Sequence, residues 1–118
     1  MSFPSFVVPV PSFQILCGVP EALIPQQNGI VFAVLKRCEE TTGVVATANV
    51  STSTCMYAGK YAGTKPSMQI MLTFNAVRTT TDQTRTAAQY IINELAKSFN
   101  QHVVSAYEIS GVPPLQSR

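Results

Sequence analysis

The sequence predicts an α+β domain built from two strand–helix–strand units in tandem. Three observations predict it. Pro11-Ser12-Phe13-Gln14-Ile15-Leu16 recurs about half a chain later as Pro66-Ser67-Met68-Gln69-Ile70-Met71, with apolar swaps where the copies differ. Apolar residues at helical spacing follow each copy, and a strand-like run follows each helical stretch. Similarity at a fixed offset constrains architecture before other signals do. The expectation is a pseudo-twofold βαβ–βαβ chain. Right-handed crossovers make the two strands of each unit parallel. Two units side by side then give a four-stranded mixed sheet with both helices on one face.

Residues 1–10 form an apolar arm in which Pro4 and Pro9 favour an extended path and deny a helix. The single domain is expected over 11–118. Phe13 to Cys17 reads as a short strand closed by Gly18. Pro25 suits the first turn of a helix, where a missing N–H costs nothing. Val31, Val34, Leu35 and Cys38 recur at helical spacing, and Gly43 ends that helix as a left-handed cap. Val44 to Thr54 is β-branched and roughly alternating, a strand. Cys55 to Lys65 reads as a loop carrying Tyr57, Tyr61, Lys60, Lys65 and two glycines, a candidate partner surface or subunit contact. Met68, Ile70, Leu72 and Phe74 alternate with Gln69, Met71, Thr73 and Asn75 to give the third strand. Thr79-Thr80-Thr81-Asp82 offers caps for a second helix, whose Ala88, Ile91, Ile92, Leu95 and Phe99 form one stripe. Asn100 can end it. Val103 to Ile109 is the last strand, and Gly111-Val112-Pro113-Pro114 cannot continue a ladder.

The chain has 118 residues, suited to one domain. Only 12% are charged, about half the usual share. With apolar residues expected on both sheet faces, that shortage of solvated surface points to contacts between copies. The net charge is +2 and the basic residues are scattered. No basic stripe interleaved with aromatics exists, which argues against nucleic acid. No apolar run approaches the roughly 20 residues that span a bilayer. The N-terminus lacks a basic n-region and is broken by prolines, unlike a secretory signal. A cytoplasmic location, or export without a signal peptide, is expected. Cys17, Cys38 and Cys55 are odd in number and far apart. They read as reduced thiols that pack like small hydrophobes. With no C-x-x-C and no Cys/His cluster, neither a metal site nor a cofactor is expected. The lone His102 reads as a strand-edge residue, and the Asn49-Val50-Ser51 sequon as coincidence inside a strand.

This layout resembles the tautomerase superfamily, within it the macrophage migration inhibitory factor branch. Pro11 opens strand one, Val19-Pro20 begins the following connection, Thr42-Gly43 ends helix one, Gly63 precedes Pro66, and Arg85 lies early in helix two. The resemblance covers about residues 11–112. It implies a homotrimer whose sheets line a central barrel, and a keto–enol chemistry based on an N-terminal proline amine. Here the nitrogen of Pro11 is an amide, with no lone pair available to act as a base. Pro11 could be catalytic only if processing exposed it. The family's substrate-contacting lysine falls on Val44, its tyrosine and asparagine on Val104 and Ala106, and its serine–isoleucine pair on Asn75-Ala76, with Arg78 beside them. The paired cysteines become Met68 and Met71.

The resemblance therefore implies a degenerate, non-catalytic homologue acting as a binding or assembly module. A small-molecule anion or a protein would be its partner, with Asn75, Ala76 and Arg78 as candidate contacts. Two alternatives stay open. One is a phenylpyruvate- or dopachrome-type tautomerase that uses Pro11 after trimming. The other keeps the same element order in a ferredoxin-like fold that binds a ligand or RNA.

Overall fold

The computed structural model describes residues 10–60 and 62–109. The proposed arm, Tyr61 and the Gly111–Pro114 tail lie outside the described residues, except for Val10. The elements run β1 (Ser12–Gly18), a short 3-10 turn (Glu21–Gln26), α1 (Gln27–Thr42), β2 (Ala46–Tyr57), β3 (Gly63–Phe74), α2 (Thr81–Ser98) and β4 (Ser105–Ile109).

Local chemistry explains the helix boundaries. Gly43 takes a left-handed φ of 74° after α1 and returns its N–H to the Glu39 carbonyl at 2.8 Å. Only glycine adopts that conformation without a Cβ penalty. Thr80 caps α2. Its hydroxyl accepts from the Gln83 N–H, while the Gln83 side chain accepts from the Thr80 N–H, a reciprocal box that satisfies two orphan donors. The expected stripe is the buried one: Ala88, Ile91, Leu95 and Phe99 are buried, joined by Ala87 and Thr84.

The sheet order is β2-β3-β1-β4, and every neighbouring pair is antiparallel. The expected mixed sheet of units side by side is therefore corrected. The two strands of a unit do run parallel, but one strand of the other unit lies between them. This is the ferredoxin-like arrangement. The two matching hexapeptides end up as hydrogen-bonded neighbours, with Ile15 opposite Ile70.

One core holds the sheet and both helices together. Phe13, Ile15 and Cys17 of β1 and Met68, Ile70 and Leu72 of β3 meet Val31, Val34 and Cys38 of α1 and the α2 stripe. Among the described residues nothing covers the side of the sheet away from the helices.

The expected loop over Cys55–Lys65 is mostly strand. β2 and β3 pair without a break from Ala46↔Phe74 to Tyr57↔Gly63. The turn needs only the residues between, with Gly59 at φ 114° and the Ala62 N–H on the Gly59 carbonyl at 3.2 Å. Tyr57, Lys60 and two glycines suggested a loop, but β-favouring Tyr57 and Thr64 lie within the strands that flank the turn. Pro66 thus sits inside β3 and not before it. Its carbonyl accepts from Val19 N–H at 3.0 Å, so its nitrogen faces the β1 side. There β1 has already ended at Gly18↔Ser67, and the missing N–H costs no ladder bond.

Candidate functional site

The open face of the sheet is built by the residues that alternate with the core. The registers stack them in rows across the strands. Tyr107, Gln14, Met71 and Asn49 form one row, and Ser105, Leu16, Gln69 and Ser51 the next. Gln14 donates from Nε2 to Gln69 Oε1 at 3.4 Å across these rows, and Ser53 and Ser67 share a hydrogen bond of 2.8 Å farther along. A shallow dish of about 200 Å³ lies at the centre, lined by Gln14, Asn49, Val50, Ser51, Gln69 and Met71. Toward the hairpin tip it runs into a second depression of about 250 Å³, which Gln69 shares with Leu16, Ser53, Cys55 and Lys65.

Among the described residues, Lys65 is the only charged side chain on this face. The face was expected to carry apolar residues, and Leu16, Met71, Tyr107 and Ile109 lie on it. Apart from Lys65, the rest is uncharged and rich in amides and hydroxyls. Carboxamides offer donors and acceptors at fixed spacing without a desolvated charge. Such a surface suits a neutral, hydrogen-bonding molecule and offers an anion little. Among the described residues it also carries no carboxylate or imidazole that could move a proton.

The sequence-predicted residues lie elsewhere. Pro11 is buried immediately before β1, and Asn75, Ala76 and Arg78 follow β3 at the same end of the sheet. The Asn75 side chain is committed to its own turn, since Oδ1 accepts from Val77 N–H at 2.9 Å. Its carbonyl accepts from the N–H groups of Arg78 and Thr79. Ala76 is half-buried and Arg78 exposed. The dish residues were not singled out from sequence, although Gln14 and Gln69 are the matched polar positions of the repeated hexapeptide.

The other ionisable groups are explained locally. Burial pushes the Cys17 thiol up to about 11, against a small opposing pull from the Lys65 ammonium. Burial also raises Cys38, opposed by its hydrogen bond to Thr42. Cys55 is exposed. Arg85 donates to both Glu108 oxygens at 2.7 and 3.1 Å, and that hydrogen-bonded carboxylate raises the guanidinium pKa. Among the described residues no cluster of His, Cys, Asp and Glu could hold a metal ion. No helix there is long and apolar enough to cross a membrane.

No family model and no curated protein matches the chain. Solved structures do. A phage SAM lyase in its apo state superposes with a TM-score of 0.62 at 18% identity, over 86% of this chain and 90% of that one. A phage SAM lyase in complex with S-methyl-5'-thioadenosine gives 0.59 at 16% identity, over 93% and 97%. A DUF3240 family protein from Shewanella baltica OS155 gives 0.51 at 9% identity, over 94% and 100%. At these identities the likeness is one of fold. It overturns the tautomerase resemblance, and with it the isomerase reading. The interleaved strand order gives the physical reason: a proline-led strand, helix, strand pattern fits both topologies, and only the strand pairing separates them.

Proposed function

We propose that this chain is a ferredoxin-like binding domain that works as a homotrimer and takes an uncharged, nucleoside-like small molecule on the open face of its sheet. The observation that carries the reading is the neutral amide dish formed by Gln14, Asn49 and Gln69 with Met71 beside them. Paired amide donors and acceptors match the edge of a purine, and the methionine offers a soft apolar surface. The ligand of one neighbour of like fold, S-methyl-5'-thioadenosine, belongs to the same chemical class. The dish of about 200 Å³ falls below the roughly 300–1,000 Å³ of ordinary small-molecule sites. A second copy that adds a wall to the dish would supply what is missing, which favours an oligomer. The low charge content of 12% points the same way. A single cation on this face among the described residues, Lys65, favours the ligand over RNA, whose binding needs a basic surface.

Calorimetric titration with S-methyl-5'-thioadenosine, adenosine and adenosine monophosphate tests the ligand. The two neutral nucleosides should bind more tightly than the charged nucleotide. Gln69→Ala should weaken them by roughly 3–10-fold, the worth of one neutral hydrogen bond. Absence of binding at millimolar nucleoside, or binding untouched by Gln69→Ala, overturns the ligand class. Light scattering at micromolar protein should return about three chain masses.

A further inference from the structure

Among the described residues the sheet has two outer edges, and neither carries a proline or a lysine. β2 presents a free edge 12 residues long, Ala46–Tyr57, with no proline, no lysine and no interruption in its register with β3. No strand pairs with its outer side among the described residues. Long, flat edges invite another strand, and proteins ordinarily blunt them with charges, prolines or bulges. This edge is bordered instead by a groove against α1, of about 300 Å³, lined by Asn28, Val31, Phe32, Leu35, Ala48 and Val50. Phe32 is 64% exposed there. At the far end of the strand, Met56 and Tyr57 stand on a two-stranded arm that reaches past the end of β1. Two-stranded ribbons are marginal in water unless they pack on something.

The opposite edge is β4, Ser105–Ile109. It too lacks proline and lysine. Its one charge, Glu108, is drawn back onto α2 by Arg85, so the edge itself offers a neutral ladder. Tyr107 and Ile109 stand exposed beside it on the open face.

We infer that β4 of a second copy adds to the β2 edge, head to tail, and brings its Tyr107 against the amide dish. Strand direction selects this occupant. All three pairings in the sheet are antiparallel, so with four strands the two outer ones run in opposite directions. Placing the β4 edge of the next copy on β2 continues the alternation with the helices still on one side. A twofold β2–β2 pairing would also be antiparallel, but it would leave both β4 edges unsatisfied. Head-to-tail addition uses both edges of every copy, and such a heterologous contact forms a closed ring when its rotation allows. Side-chain alternation then puts the incoming Tyr107 on the open face, next to the β2 row of Thr47, Asn49 and Ser51. The chain's own Tyr107 already lies beside Gln14 on the other side of the dish. The dish is thus bracketed by two tyrosines, one from each copy. Its role as a ligand site rests on the function proposed above; the edge contact does not.

Disulfide trapping tests the contact. In a Cys55→Ser background, Tyr107→Cys is combined in turn with Thr47→Cys, Asn49→Cys or Ser51→Cys. Within one chain, β2 and β4 are three strand spacings apart, about 14 Å. A disulfide needs Cα atoms within about 7 Å, so any bond formed must join two copies. One of the three pairs should convert most of the protein to covalent multimers under mild oxidation, and the single-cysteine variants should stay at chain mass. Failure of all three pairs overturns the inference, as does efficient dimerisation by Asn49→Cys alone. In the unsubstituted protein, amide exchange along Ala46–Tyr57 should be slow on both edges of the strand. If alternate amides exchange as on a free edge, or the protein scatters as a monomer, the inference also falls. Gln69→Ala separates the two ideas. Trapping without nucleoside binding leaves the ring and removes the ligand, and nucleoside binding to a monomer does the reverse.

Discussion

Leu95→Ala probes the packing that holds both helices to the sheet. Leu95 is 0% exposed and sits among Ile91, Phe99 and the β-strand core residues. The substitution removes roughly three methylene-sized groups, each worth about 0.8 kcal/mol on burial, or about 2.4 kcal/mol of transfer free energy. The surrounding structure relaxes only in part, and the residual cavity raises the cost to about 3–4 kcal/mol. Urea melts at fixed protein concentration should show this as a lower midpoint with an unchanged slope, and thermal melts as a fall on the order of 10 °C. Fixed concentration matters because association adds to apparent stability. Gln89→Ala is the control, on an exposed position of the same helix, and should stay within about 0.5 kcal/mol. A Leu95→Ala cost under about 1 kcal/mol, with the control equally mild, would mean that α2 does not bury this face.

Further perturbations follow from the local chemistry. Thr80→Ala removes the α2 cap and should cost about 1 kcal/mol in the same melts, while Thr80→Ser should recover most of it. Gly43→Ala forces a side chain into the left-handed conformation at φ 74° and should cost about 1 kcal/mol. The thiols should separate by burial: at neutral pH an aromatic disulfide reagent should label Cys55 at once, and Cys17 and Cys38 only as the protein unfolds. The folded Cys17 holds its proton up to about 11, against an ordinary value of 9.0. Its contribution is therefore intact below pH 9 and declines as pH rises toward 11, because the unfolded state loses the proton first. Cys17→Ala should flatten that part of the stability–pH curve.

Much of the fold was legible in the sequence because its signals are local. The apolar stripes of both helices, the Gly43 stop and the threonine cap all depend on residues within a turn or two of each other. Pairing between strands is non-local, and there the reading failed. Pro11 and Pro66 suggested two units side by side, whereas their strands pair with each other in the middle of the sheet. The resemblance to a proline-based isomerase came from the same ambiguity. The hairpin beyond Cys55 reads as a loop in the sequence because the glycines and lysines near its tip outweigh the β-favouring Tyr57 and Thr64 beside it. The dish was invisible for another reason. Gln14, Asn49 and Gln69 come from three strands, and only the register brings their amides onto one patch. Asn75 stood out as a polar residue after a strand, but its amide serves its own turn.

The interleaving of the strands also dictates how the chain can be made. β2 and β3 are joined by a short turn and can pair as soon as both exist. β1 is synthesised first, yet its neighbours are β3 and β4, and Ser12 finds Ile109 only near the end of the described chain. Pairing across such separations is slow. Until the β4 segment has been added, one side of β1 stays unpaired, with Phe13, Ile15 and Cys17 flanking that bare ladder. A chain ending before Ser105 would therefore present an unpaired strand edge on β1, the kind of edge that invites pairing with another chain.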